Sequence, residues 1–578
     1  MTGEKIKKNL TNLVKKVLPE LPVNSVLEWL PPPQSEMGDL CLPCFKLGQE
    51  LKQSPEKIAL KLEKLLSSKI SLIDLVDQVK SQGPYLNVFL NKPVWMEIVF
   101  QEILKNKKEW KEISFNKQKK VLIEYSAPNT NKPQHLGHLR NNFLGWTMAE
   151  LFSLTKAKVT KVNLVNDRGI HICQSMLAYQ KWGKGKTPES EKIKGDYFVG
   201  QYYVLFNQKV KDDPALLEEA QAMLQQWEQG DPEIIALWQK MNQWAIEGFK
   251  KTYQKIGVNF DYWYFESDIY EWGKKTINKA LKKGLCYKRE DGAVEIDLEK
   301  YNLGKKVLLR PDGTSVYITQ DIGLAQLKQE QFNPDLSIYV VCSEQDYHFK
   351  VLFKILEIFD FNWVKNLYHL SYNLVFLPHG KMKSREGQTA DADEVIQEME
   401  KMAKGEILSR NPNLSPLEVS RRAEIITQAA LKFFLLKFTP GQKINFDPQA
   451  SISFDGDSGP YCQYTYVRIQ SILKKIDKKE IDKKIDYQVL KNKLEIELTQ
   501  LLFNYPEIIK KSTINYNPSY LAHYLLALAQ KFNEFYHQFP VLKAEPKLKE
   551  ARLVLIQSVA LIIKQGLELL GIQVLEEM

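Results

Sequence analysis

Two short segments of this chain carry residue types suited to phosphate chemistry. In the first, His135 and His138 flank Leu136 and Gly137. If a helix opens there, imidazoles at i and i+3 share a face, and both can donate to phosphate oxygens. A helix N-terminus adds unpaired N–H groups and a partial positive charge. Gly137 lets a ligand approach the backbone closely, and Lys132 places a cation in the preceding loop. In the second segment, Lys381, Lys383 and Arg385 lie between Gly380 and Gly387, interleaved with Met382 and Ser384. Basic loops of this kind clamp phosphates and stabilise charge developing on a leaving pyrophosphate. Each segment alone could be a helix cap or an exposed basic turn. Their occurrence together favours one polyphosphate site.

Such groups must be held by regular elements. VLIEY (121–125) is a short apolar strand that runs through the breaker-rich SAPNTNKPQ (126–134) into helical periodicity from His135. Further strand candidates are VTKVNLVND (159–167), LSIYVVCS (336–343) and LYHLSYNLVFLP (367–378), with helical VLFKILEIF (351–359) between the last two. This β-loop-α-β order predicts a Rossmann-like, doubly wound parallel sheet. It is expected to span 113–400, with an inserted subdomain over about 183–300. Asp231-Pro232 starts a helix in that insertion, and Trp238, Met241 and Trp244 read as its core. Residues 1–112 predict a small α+β unit. Ser54 caps a helix there, and Leu86, Val88 and Leu90 alternate with Tyr85, Asn87 and Phe89 along a strand. From about 400 the periodicity is helical, predicting a connector over 401–456 and an all-α bundle over 457–578.

Composition narrows the class. A chain of 578 residues with 44% hydrophobic and 26% charged residues can bury several cores, which excludes wholesale disorder. The apolar run from Leu553 to Ile563 is too short to span a bilayer, and the charged N-terminus lacks a signal-peptide core. The expectation is a cytoplasmic protein. Six cysteines are too few for a disulfide framework. Cys41 and Cys44 form a lone C-x-x-C short of the ligands a zinc site needs, so no protein-bound metal is expected. The net charge of +10 suits a polyanionic partner without locating it.

The two basic segments resemble the HIGH and KMSKS signatures of class I aminoacyl-tRNA synthetases. EYSAPNTNKPQHLGHLRNN, YITQDIGLA, EQDYHF, KMKSREG, GPYCQYTYVRIQSIL and KQGLELLGIQVLEEM follow one another in the order found in arginyl-tRNA synthetases. QGPYLNVFLN is similar to that family's additional N-terminal domain. The resemblance implies arginine activation by ATP, carried with Mg2+ as a substrate complex, and transfer to tRNA(Arg) by a monomer. It implies ATP contacts from His135, Gly137, His138, Met382 and Ser384, with Lys381 in the basic loop. The second signature lysine is displaced, since Lys383 is third and Ser384 fourth in KMKSR. Lys132, Lys383 and Arg385 are alternatives for its role. Arginine binding is implied for Glu124, Ser126, Asn129, Tyr317, Asp321 and Gln345, carboxylates and neutral acceptors that suit a five-donor cation. For tRNA, the resemblance implies Tyr85 and Asn87 at one end, and Tyr461, Tyr464 and Arg468 in the anticodon-binding bundle. NDRGIHI (166–172) departs from the family pattern and leaves the roles of Asp167 and His171 open.

Overall fold

The computed structural model describes residues 2–22, 24–30, 37–69, 74–105, 118–377, 391–476 and 485–578, with Pro32 and Gln34. Near the N-terminus, β1 (Leu40–Pro43), β2 (Val76–Gln82) and β3 (Tyr85–Leu90) form an antiparallel sheet with β3 in the centre. Leu86, Val88 and Leu90 point into its core, as the alternation predicts. Ser54 accepts from the Lys57 N–H and caps the helix Pro55–Ser67. Cys41 and Cys44 are buried thiols in this unit, and burial pushes Cys44 up to about 12. Among the described residues, no cluster of three or more His, Cys, Asp or Glu could hold a metal ion.

The central sheet is parallel. It contains β4 (Lys120–Glu124), β5 (Lys158–Val165) and β6 (Tyr262–Phe265), then, beyond an antiparallel sheet of β7 (Tyr287–Lys288), β8 (Val294–Asp297) and β9 (Lys305–Leu309), β10 (Leu336–Cys342) and β11 (Leu367–Tyr372). The spatial order is β11-β10-β4-β5-β6, with every neighbouring pair parallel. The chain leaves β4 toward β5 on one side and returns to β10 on the other. The crevice at the C-terminal ends of β4 and β10 is thus the switch point where ligands bind in such sheets.

One expectation needs correction. Residues 183–300 are not a single interruption, because Tyr262–Phe265 returns to the sheet as its edge strand. Helices between Pro188 and Ile256 form the first excursion and β7–β9 belong to a second. Four residues, YWYF, are too few for alternation to register. Among the described residues after 400 the regular elements are helical except for β13 (Ile444–Asn445), which pairs in parallel with β12 (Val375–Phe376). Among the described residues no helix is long and apolar enough to cross a membrane.

The helix Leu136–Ser153 packs hard against β4, since a Cβ on Gly145 would lie 2.3 Å from the Tyr125 ring. From the same helix Arg140, fully buried, donates to the carbonyls of Asn373, Gln442 (2.9 Å), Thr439 (3.0 Å) and Pro440 (3.1 Å). Among the described residues no carboxylate pairs with it, and burial lowers its pKa to about 10. A guanidinium has five donors and here serves four carbonyls, more than the three N–H groups of an ammonium could. It joins the helix both to the chain entering β12 and to the turn before β13. Arg140→Met should strand these carbonyls and lower the thermal unfolding midpoint by about 5 °C or more, read by calorimetry or circular dichroism.

Candidate active site

The loop between β4 and the helix Leu136–Ser153 builds the phosphate-facing part of the crevice. His135 is the N-cap, and its Nδ1 accepts the Gly137 N–H at 3.1 Å. His138 Nδ1 accepts the His135 N–H, also at 3.1 Å, and the rings lie 4.0 Å apart. With each Nδ1 accepting, the proton of each neutral ring resides on Nε2, which can donate. Burial, with Lys132 nearby, lowers His135 to about 4, and burial with His135 and Lys132 drives His138 well below its ordinary value. Both imidazoles are therefore neutral donors at neutral pH. Burial also lowers Lys132. A Cβ on Gly137 would come within 2.9 Å of the His135 ring, so glycine makes room for the imidazole as well as for a ligand.

The same loop leaves the sheet through two consecutive non-glycine residues in the left-handed region, Ser126 (φ 81°) and Ala127 (φ 47°). Asn141 Oδ1 accepts the Ser126 N–H at 2.5 Å, and Asn163 Oδ1 accepts the Ala127 N–H at 3.1 Å. The Tyr253 hydroxyl meets Ser126 Oγ at 2.6 Å and accepts from Asn163 Nδ2 at 3.2 Å. Asn141 Nδ2 in turn donates to the Val340 carbonyl at 2.7 Å. Ser126 is thereby buried, while Asn129 stays partly open and is bridged to Asn166.

Carboxylates gather across the crevice. Tyr317 and Asp321 lie one turn apart on the helix Tyr317–Phe332, as their spacing predicts. Asp321 Oδ2 meets His348 Nε2 at 2.6 Å, Gln345 is exposed in the turn after β10, and Tyr317 is 66% exposed. Glu266, at the end of β6, was not singled out from sequence. Its carboxyl is buried, and burial, then Asp321 and Asp167, raise it to about 8. An acid before a short aromatic strand becomes visible only once that strand is known to end at the crevice. Asp167 is a holding group: its carboxylate accepts the Ser267 N–H (3.0 Å) and hydroxyl (2.6 Å), next to Glu266. His171 lies further out, exposed beside Tyr203. Glu124 already has a cation, because buried Lys328 donates to it at 2.8 Å and lies 3.9 Å from the centroid of Tyr339.

Lys381, Met382, Lys383, Ser384 and Arg385 lie outside the described residues. Beyond them, Asp391 forms an isolated bridge with His135 and caps the helix Ala392–Arg410. Burial, with Asp393 adding, raises its carboxyl to about 6. The chain after 390 therefore docks on the histidine loop, a contact no local pattern announces.

Two sets lie away from the crevice. Tyr85 is half-buried, edge-on to exposed Phe45 at 5.7 Å, whereas Asn87 is only 3% exposed within the sheet. Tyr461, Tyr464 and Arg468 share a face of the helix Gly459–Leu473. Arg468 lies 4.7 Å from the Tyr464 ring and 5.2 Å from Tyr536. Asn533 donates to Tyr461 at 2.9 Å and accepts from Arg468. Asn533 and Tyr536 come from a neighbouring helix, so spacing along one helix could not reveal them.

The sheet that carries this crevice matches, over residues 99–446, the family described as tRNA synthetases class I (R), catalytic domain. The domain that holds this crevice is thus that of a class I aminoacyl-tRNA synthetase. Residues 4–90 match the Arginyl tRNA synthetase N terminal domain and residues 462–578 the DALR anticodon binding domain. The arginine–tRNA ligase of Treponema denticola is 44% identical over 556 residues, covering 95% of this chain and 94% of its own length. That of Borrelia hermsii is 39% identical over 594 residues, with 100% of both chains covered. The solved arginyl-tRNA synthetase of Thermus thermophilus superposes with a TM-score of 0.81 at 25% identity, covering 99% of this chain and 100% of that one. The chain belongs to the arginyl-tRNA synthetase family.

The proximity of two acids is directly testable. Asp321→Asn removes a like charge and should lower the Glu266 pKa below about 8. The shift can be followed in the protonated-carboxyl infrared band that Glu266→Gln abolishes.

Proposed function

We propose that this chain couples L-arginine to tRNA(Arg) in two steps, first forming arginyl-adenylate from ATP and then esterifying the terminal adenosine. The observation that carries this reading is the pairing of two unlike half-sites: neutral imidazole donors on one side and the Asp321–Glu266 acids on the other. A polyphosphate suits the first and a guanidinium the second.

In the first step a carboxylate oxygen of arginine attacks the α-phosphorus, and pyrophosphate leaves. His135 and His138 would donate Nε2–H to phosphate oxygens as charge shifts to the leaving group, with Gly137, Met382 and Ser384 completing the ATP contacts. Mg2+ enters with ATP. Lys132 stands beside both histidines, which favours it for the displaced signature lysine, and Lys381, Lys383 and Arg385 supply further positive charge. In the pocket, Asp321 and Glu266 face the guanidinium, with Tyr317 and Gln345 shaping it and Asn129 and the Ser126 backbone holding the amino-acid end. Glu124, neutralised by Lys328, acts by fixing the pocket wall. Binding and orientation supply most of the rate, and a charged, donor-rich substrate needs no editing site. The tRNA would rest on Tyr85 at one end, with buried Asn87 behind it in the strand, and on Tyr461, Tyr464 and Arg468 at the other. The chain is read as a cytoplasmic monomer.

ATP–pyrophosphate exchange, run with each amino acid and with tRNA present, tests the assignment; absence of exchange with arginine would overturn it. His138→Ala should lower the arginine-dependent rate about 10²–10³-fold, since it deletes a donor to the transition state. Arginine binds the ionised form of Glu266, so below pH 8 binding must release a proton. Calorimetric affinity for arginine should therefore rise from pH 6.5 to about 8, by up to about tenfold per unit, and then level off. Glu266→Gln should bind arginine more weakly and lose this slope.

A further inference from the structure

We propose that Tyr347 and Tyr301, each flanked by lysine, form a stacking track for the unpaired 3′-terminal nucleotides of the tRNA, leading into the arginine pocket. This rests on the functional reading above. Tyr347 is 50% and Tyr301 36% exposed, in a chain that buries many of its large aromatic side chains completely. Lys306 Nζ lies 4.5 Å from the Tyr347 ring centroid. Lys354 and Lys300 lie 4.5 Å and 4.8 Å from that of Tyr301. The Tyr347 hydroxyl donates to the Leu303 carbonyl at 2.8 Å, which holds the ring in place instead of leaving it to swing.

The placement gives the track a direction. Tyr347 and Lys354 are seven apart on the helix Asp346–Ile358 and so share its face. Lys306 comes from β9, and Tyr301 and Lys300 from the turn before it, so helix and small sheet contribute jointly. At its inner end Tyr347 adjoins His348, whose ring holds Asp321 at 2.6 Å, and it follows Gln345 by two residues. Lys354 also pairs with Glu357 at 2.6 Å and Lys305 with Asp297 at 3.9 Å, whereas among the described residues Lys300 and Lys306 make no ion pair.

Rings alternating with cations match a strand that repeats a base and a phosphate at every step. Every base offers a π-face, and nearby lysines serve the backbone. A free nucleotide would need one ring and a polyphosphate cradle, and the cradle here is the histidine loop across the crevice. The second excursion from the sheet, β7–β9, thereby gains a purpose that its sequence does not announce.

The test compares equilibrium binding of intact tRNA(Arg) with tRNA(Arg) lacking its last three nucleotides, using the full chain. Wild type should favour the intact form by roughly 5- to 100-fold. The Tyr301→Ala/Tyr347→Ala double variant should lose most of this ratio and bind truncated tRNA as wild type does. The corresponding double Phe variant should keep it, because the π-face remains. Lys306→Glu, which leaves both rings in place, should reduce the ratio several-fold and serves if the alanine variant does not fold. A ratio unchanged by these substitutions, or an equal loss for both tRNAs, would overturn the track. Arginine-dependent exchange by wild type, measured alongside, reports on the functional reading separately.

Discussion

The backbone at Ser126 and Ala127 is the constraint around which the rest of the crevice is arranged. Two adjacent non-glycine residues with positive φ each cost about 1–3 kcal/mol unless surrounding structure holds them. Their N–H groups are captured by side-chain carbonyls of Asn141 and Asn163, and the serine hydroxyl by Tyr253. These partners come from the histidine helix, from β5 and from the helix Pro232–Ile256 of the first excursion. Asn141 also reaches β10 through Val340. One short turn is thus fixed by four separate elements. The positions of Asn129, Lys132 and His135 downstream follow from it.

Charge is handled differently at each buried site nearby, and the differences sort structure from function. Arg140 is solvated by carbonyls and serves as a joint. Glu124 and Lys328 cancel one another, and burial, which alone would lower the lysine, is outweighed by Glu124 and Tyr339. The histidines stay uncharged because burial and Lys132 oppose protonation. Glu266 differs in kind: burial, then the Asp321 and Asp167 carboxylates, oppose its ionisation, and a histidine stands against Asp321. Such unresolved repulsion stabilises an incoming cation more than either acid would alone.

Much of this was legible in the sequence because its signals are local. The histidines at i and i+3, the Tyr317–Asp321 turn and the Tyr461–Tyr464–Arg468 face depend only on helical periodicity, and all three sets come together as spaced. Strands long enough to show periodicity, such as Leu336–Cys342, could be read in the same way. What stayed hidden is non-local. Tyr262–Phe265 is too short to declare itself, and Glu266 gains meaning only when that strand ends beside Asp321. Lys328 meets Glu124 across 204 positions, and Arg140 finds its carbonyls 233 to 302 positions away. Asn87 illustrates the converse: an amide on an alternating strand reads as outward, yet it is buried in the folded unit.

The helix Lys92–Lys105 packs on the N-terminal helix Thr2–Val17 and, more extensively, on the C-terminal bundle. Fully buried Trp95 packs edge-on to Phe503 at 5.8 Å, and fully buried Phe100 lies 5.3 Å from Tyr487. Lys7 and Glu507 add an ion pair at 3.4 Å. Phe100 and Tyr487 are 387 positions apart, so at about 5–20 residues per second the ribosome delivers the second some 20–80 s after the first. Throughout that interval the part of the early helix that packs on the bundle lacks its partner there. The nascent protein must carry an uncovered tryptophan and phenylalanine for most of its synthesis, a period during which a chaperone has reason to hold it.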